Sequence, residues 1–331
     1  MTQIMCVTPS AGAGWAPVTT MAQLMSRCLE APLRLVHPAR DYSRARRLLS
    51  LVPRRRGSKG HLILVAARPG DLLAMVGGAG HLKGFDSVSA WIFDAFWDDE
   101  IPRMARRATF VDHLFVPDAE LVDVYARATR TPVTWLPWGT DSLAGGAGSF
   151  TTQRSVDVLR LGRQPRAWDD DEATRRLLGS HGLSFDHCPP FSGRAEENQR
   201  IVRAALERSK VVLASGNASS AADYTHPTRE YITARWTDAA AAGTVVAGTP
   251  PRCHALSLLP PDGLLHIPVD AAESGIPLLR RAVEAWTPKV AGDLHRHARA
   301  HLDWRRRFGT MAETLGIESA TLRAELLRLH V

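Results

Sequence analysis

The sequence predicts an α/β protein of two successive domains, each a parallel sheet covered by helices on both faces. Three observations carry this reading. The 331 residues suffice for two domains with full cores. Short apolar runs alternate along the chain with segments of helical periodicity. That alternation stops at the small, glycine-rich stretch "SLAGGAGSFTTQRS" (142–155) and then restarts.

Taken in order, "QIMCVTP" (3–9) is a buried strand that ends in small and turn residues, and "TTMAQLMSRCLE" (19–30) carries helical spacing. "LRLVHP" (33–38), "HLILVAA" (61–67), "VSAWIFDAF" (88–96) and "HLFVP" (113–117) read as further strands. "AELVDVYARAT" (119–129) is a helix, and "TPVTWLPWGTD" (131–141) ends the first half. The second half opens with the strand "SVDVLRLG" (155–162), the helix "DEATRRLLGSHG" (171–182) and the strand "LSFDHCPP" (183–190). A helix (197–209), a strand (210–216), a loop and helix (230–242) and the strand "GTVVAG" (243–248) come next. "LLHIPV" (264–269) is the last strand, "GIPLLRRAVEAW" (275–286) a helix, and the basic tail 295–308 reads as one long helix. In open α/β sheets ligands bind beyond the carboxyl ends of the strands, so two such halves are expected to share a cleft.

Composition narrows the class. Hydrophobic residues make up 45% and charged residues 23%, a globular balance. No run approaches the ~18 apolar residues of a membrane span, and "MTQIMCVTPSAGAGW" lacks the pattern of a secretory leader. Cys6, Cys28, Cys188 and Cys253 lie too far apart for a disulfide framework or a zinc site. A cytoplasmic enzyme is expected. The net charge of +7 is partly concentrated in "RARRLLSLVPRRRGSKG" (44–60). This segment reads as a solvated face and loop, or as a weak contact with an anionic membrane surface. No RNA-binding aromatic signature or helix-turn-helix spacing accompanies it, so no nucleic-acid partner is expected.

The densest chemistry lies in "EYITARWTDAAAAGTVVAG" (230–248), where Glu230 and Asp238 stand before an alanine run, Gly243 and a strand. Carboxylates accept hydrogen bonds from vicinal hydroxyls, and a helix start beside them favours phosphate. The alternative reading is ordinary helix chemistry. Elsewhere, Gly12 and Gly14 in "PSAGAGWAP" let backbone approach a phosphate, though the third glycine of a dinucleotide fingerprint is missing. "MVGGAGHLKGFDS" (75–87) is a loop containing His81 that could meet an acceptor, and Asp94 ends a strand where it could orient an acceptor hydroxyl. The acidic runs 98–99 and 169–171 read as helix starts, so no metal site is expected.

Glu230, seven residues, Asp238 and "AAAAGTVVAG" together resemble the acid-x7-acid element of retaining, family-4-like glycosyltransferases of the GT-B type. "TWLPWGTD" is similar to the Pro-x-Gly-x-Asp element closing that family's first domain, and "VLRLGRQPRAW" to the strand-Gly-Arg element opening its second. "HARAHLDWRRRF" (297–308) resembles its late crossing helix. The resemblance implies two Rossmann-like domains facing across a cleft: an acceptor domain at 1–143, a nucleotide-sugar domain at 150–305 and a tail at 306–331 that packs back on the first. It also implies sugar transfer from a nucleoside diphosphate sugar to an acceptor hydroxyl, with retention, no metal and no cofactor. An epimerase or a non-catalytic binding protein on the same fold is the alternative. On this basis Glu230, Asp94 and His81 are the expected catalytic residues. Gly12, Gly14, Arg163, Arg166, Arg229, Asp238 and Thr244 are the expected donor contacts. The chain departs from the family in three ways. Its second acid is Asp, "YIT" follows Glu230, and no lysine stands between Gly162 and Ser209, which leaves Arg166 or Arg229 to supply that charge.

Overall fold

The computed structural model describes residues 2–7, 15–36, 56–77, 82–106, 110–145, 150, 153–222 and 225–330. The chain divides into two compact units. One is Met1–Pro137 with Arg307–Arg328; the other is Trp138–Arg306 with Leu329–Val331.

The first unit begins with β1 (Thr2–Val7) and α1 (Ala16–Cys28). Pro17 sits in the first turn of α1, where its missing N–H costs nothing, and Val18, Met21, Ala22, Leu24 and Met25 form its buried stripe. Next come β2 (Leu33–Val36), β3 (His61–Ala66), α2 (Pro69–Gly77), β4 (Ser87–Ile92) and α3 (Ile101–Ala105). β5 (His113–Val116), α4 (Val122–Thr129) and β6 (Val133–Trp135) complete the sheet. Its order is β2-β1-β3-β4-β5-β6, and every pairing is parallel. β3 and β4 read as nearly unbroken apolar runs because both faces are covered: each buries five of its six residues. α2 is absent from the sequence reading, which took its last residues for a loop. Pro69 at its start and Asp71 in its first turn are helix-opening residues that the glycines beside them disguise.

The second unit contains β7 (Val156–Arg160), α5 (Asp171–Ser180), β8 (Phe185–Asp186), α6 (Ala195–Glu207), β9 (Ser209–Leu213), α7 (Ala234–Ala241) and β10 (Val245–Gly248). β11 (Leu264–His266), α8 (Ala272–Ala285), α9 (Pro288–His301) and the start of α10 (Trp304–Leu315) follow. The parallel sheet runs β11-β10-β9-β7-β8. Its core joins Val158, Val211, Leu213 and Ala247 to Trp168, Ile276 and Leu279. Both sheets share a 2-1-3-4-5 strand order, with the reversal between the first and third strands. That reversal is where doubly wound sheets open a crevice for ligands.

Two local results differ from the sequence reading. The basic tail is two helices, not one. Leu302 O accepts from Thr140 N (2.9 Å) and Asp303 Oδ1 from Arg305 N (2.7 Å), so the backbone turns between α9 and α10. Residues 138–142 also belong to the second unit. Trp304 N donates to Thr140 O (2.9 Å), Thr237 Oγ1 to Gly139 O (2.8 Å) and Ser142 N to Asp303 Oδ2 (3.0 Å). At the end of the chain, α11 (Ala320–Leu327) is capped by Ser319, whose hydroxyl also donates to Cys28 O (2.6 Å) in the first unit.

Candidate functional site

The site of the second unit starts from Gly162, directly after β7. Its φ of +73° is a left-handed conformation that glycine adopts without a Cβ penalty. A side chain there would also crowd Arg235, whose Cδ lies 3.1 Å from the Cβ position. The turn delivers Arg163 to the carboxyl end of β7, and Asn217 stands in the loop that leaves β9, the neighbouring strand across the reversal. Arg163 Nη2 donates to Asn217 Oδ1 at 3.2 Å, and Arg235 Nη2 donates to the same oxygen at 3.4 Å. Two guanidiniums therefore share one neutral acceptor. Arg235 occupies the first turn of α7, which holds no acidic residue. A cation there opposes the helix dipole, so an anion at this point would offset both the guanidinium and the positive end of the dipole.

Glu230 lies outside α7, four residues before its first residue. Its carboxylate bridges two loops: Oε1 accepts from Ala218 N (2.9 Å) and Oε2 from Arg252 N (3.1 Å). Gly216 must be glycine for this, because a Cβ would collide with Glu230 Oε1. Asp238 has different partners. Oδ1 accepts from Thr140 Oγ1 (2.7 Å) and Oδ2 from Gln199 Nε2 (3.4 Å). Burial pushes its pKa up, and the Thr140 bond and the charge of Arg203 oppose that shift. The two acids thus sit one on the loops and one within the helix, with no shared partner among the described residues.

Other expected residues scatter. Arg166 is exposed on the turn Arg166–Trp168. Arg229 N donates to His226 Nδ1 (3.0 Å). The residue that joins Arg163 is Arg235, because α7 begins against Gly162. Thr244, expected as a donor contact, has structural partners. It is fully buried at the amino end of β10, opposite the edge where Arg163 lies, and bonds Leu206 O (2.8 Å) and Arg154 Nη1 (2.7 Å). Asp94 belongs to the first unit. It is buried just past β4 and its N–H donates to Ala67 O (2.7 Å). Gly12, Gly14, His81 and most of 44–60 lie outside the described residues. The acidic run 169–171 has structural partners. Asp169 and Asp171 pair with Arg160 (2.6 and 2.7 Å), and Asp170 caps α5. Among the described residues no group of three or more His, Cys, Asp or Glu could hold a metal ion.

Asn217 and Arg235 escaped sequence reasoning. The signal for Asn217 was its place after a buried strand, in "SGN", and Arg235 was hidden because helical arginines are ordinary surface residues.

No protein-family model and no curated protein matches the chain. Solved structures do. Anabaena HepE, crystallised with UDP-glucose, is 10% identical with a TM-score of 0.56, over 95% of this chain and 99% of that one. A glycosyltransferase from Rickettsia africae ESF-5 is 7% identical with a TM-score of 0.55, over 95% of this chain and 97% of that one. Sucrose-phosphate synthase from Thermosynechococcus elongatus is 10% identical with a TM-score of 0.53, over 95% of this chain and 98% of that one. The likeness is one of fold, and it carries the GT-B fold class read from the sequence.

Proposed function

We propose that this chain is a glycosyltransferase that moves a sugar from a nucleoside diphosphate sugar to an acceptor hydroxyl, with retention and without a metal ion. One observation carries the reading: Arg163 and Arg235 converge on Asn217 at the strand-order reversal, beside the start of α7. The UDP and UDP-glucose held in the HepE structures support a nucleotide sugar as donor. In the reaction the bond from the anomeric carbon to the diphosphate oxygen breaks, a bond to the acceptor oxygen forms, and the acceptor's hydroxyl proton passes to the departing diphosphate. Negative charge grows on the departing diphosphate. The two guanidiniums and the N–H groups opening α7 oppose that charge where it develops. Glu230 holds donor-sugar hydroxyls, and Asp238, an acceptor with lone pairs to spare, holds the ribose. Asp94 is the group assigned to orienting the acceptor hydroxyl.

The same reading places the enzyme in the cytoplasm, with the basic segment 44–60 as a solvated face or a weak contact with anionic lipid. No described helix is long and apolar enough to cross a membrane.

The test titrates uridine and UDP against wild type and Arg163→Lys. A planar fork holds two phosphate oxygens and an ammonium does not, so UDP affinity is expected to fall about tenfold and uridine affinity to stay unchanged. Equal losses for both ligands, or none, remove Arg163 from the site. Incubation with nucleotide sugar alone separates the other chemistry on this fold: an epimerised nucleotide sugar would replace the transferase reading.

A further inference from the structure

Beyond Glu230, the loops leaving β9 and β10 carry two hydroxyls that the fold does not use. The loops are joined along their backbones, with Ala214 N donating to Ala247 O (3.0 Å) and Gly216 N to Thr249 O (2.8 Å). Glu230 clasps them a second time through Ala218 N and Arg252 N. Ser219 N closes a turn onto Gly216 O (3.2 Å). Within this tied pair of loops, Ser220 Oγ and Thr249 Oγ1 are buried and have no hydrogen-bond partner among the described residues. A buried hydroxyl without a partner loses its bonds to water and gains none in return, and native proteins rarely keep one without a reason. Ser89 Oγ is in the same condition, but it lies mid-strand in the packed sheet of the first unit. Ser220 and Thr249 instead lie on the loops that leave β9 and β10, two residues after Ala218 and three before Arg252, the residues whose N–H groups Glu230 holds.

We infer that Ser220 and Thr249 are the residues that recognise the sugar of the donor, each exchanging a hydrogen bond with a sugar hydroxyl. This rests on the transferase reading above and adds the contacts that separate the sugar from its nucleotide. A hydroxyl both donates and accepts, so it matches another hydroxyl in either direction, which a carboxylate cannot do. Glu230 then has two tasks: it fixes the loops that present the hydroxyls, and it supplies a charged acceptor. The unpaired hydroxyls are left for the ligand at the expense of the unliganded fold.

Thr249→Val and Ser220→Ala test this, with Thr244→Val as the contrast, since the Thr244 hydroxyl is buried and fully bonded. Affinities are measured for UDP, GDP and ADP and for UDP-glucose, GDP-mannose and ADP-glucose, and unliganded melting temperatures are recorded. For the nucleotide that wild type binds, each loop variant is expected to keep its diphosphate affinity and lose about tenfold in sugar-nucleotide affinity. Both loop variants are expected to melt no lower than wild type, and Thr244→Val is expected to melt lower. Sugar-nucleotide affinity unchanged in both loop variants, or lost in proportion to diphosphate affinity, overturns the inference alone. Loop variants that melt well below wild type also overturn it, because the hydroxyls would then serve the fold. Wild type that binds none of the six compounds overturns the transferase reading and this inference with it.

Discussion

Glu230 and Asp238 are the same kind of group in different surroundings, and the difference sets what each variant should do. Glu230 receives two backbone N–H bonds on the loops at the sheet edge. Glu230→Ala removes the acceptor of both these bonds and, in the proposed reaction, a charged acceptor for the donor. Turnover is expected to fall about a hundredfold or more, as loss of a charged hydrogen bond in a transition state implies. Near-normal turnover in a folded variant would refute its role. Asp238 is held inside α7, and burial raises its pKa above the ordinary 3.8. The folded state then binds more protons than the unfolded chain just above that value. Its contribution to stability therefore declines as pH rises from the ordinary value through the raised one, and levels off beyond. Asp238→Asn removes this titration while its amide oxygen can still accept from Thr140. Denaturation midpoints between about pH 4 and pH 7 should therefore fall less with pH in the variant than in wild type. Parallel curves would show that Asp238 titrates normally.

At the scale of elements, the helices of the second unit sit close to its sheet because small residues stand at the crossings. Gly243 follows α7 with a φ of +70°, and its Cβ position is 2.7 Å from the Ala291 Cβ in α9. Gly275, in α8, faces Trp168, and a Cβ there would lie 2.7 Å from Trp168 Cζ2. Trp168 is nearly fully buried and donates from Nε1 to Pro268 O (2.9 Å), so its ring has no room to withdraw. Gly275→Ala is therefore expected to destabilise the protein by about 1–3 kcal/mol, the range for overpacking a filled core. Urea melts followed by tryptophan fluorescence measure it, and an unchanged midpoint would mean that α8 shifts freely. At Gly162 the Cβ position lies 3.1 Å from Arg235 Cδ, so glycine there leaves room for Arg235.

For the whole molecule, the charge of a bound diphosphate is met by arginines and backbone N–H groups in the proposed reaction. Turnover is accordingly expected to persist in excess EDTA. Loss of turnover in chelator that added Mg²⁺ or Mn²⁺ restores would assign the chemistry to a metal instead. The fold is doubly wound twice over, with one strand order repeated in both units. In the second unit the order brings the ends of β7 and β9 side by side, although 48 residues separate Arg160 from Ser209. A ligand site between them is a product of topology.

By itself, the sequence determined the strands, most helices and the fold class, because these depend on local periodicity and on buried apolar runs that are visible residue by residue. It also placed Gly162 and Arg163 directly after a strand and Glu230 ahead of a helix, because strand ends and turn residues are read locally. The tail misled because the break at Leu302 and Asp303 is made by hydrogen bonds to Thr140 and Arg305, not by a glycine or proline. Thr244 precedes its strand and so lies at the amino end of the sheet, and only the tertiary structure shows its hydroxyl bonded to Leu206 and Arg154. Tertiary structure alone decided that Arg235 joins Arg163 on Asn217, and that Glu230 clasps the loops of Ser220 and Thr249. Each of these contacts joins residues far apart in the chain, and only strand order and helix packing bring them within hydrogen-bonding distance.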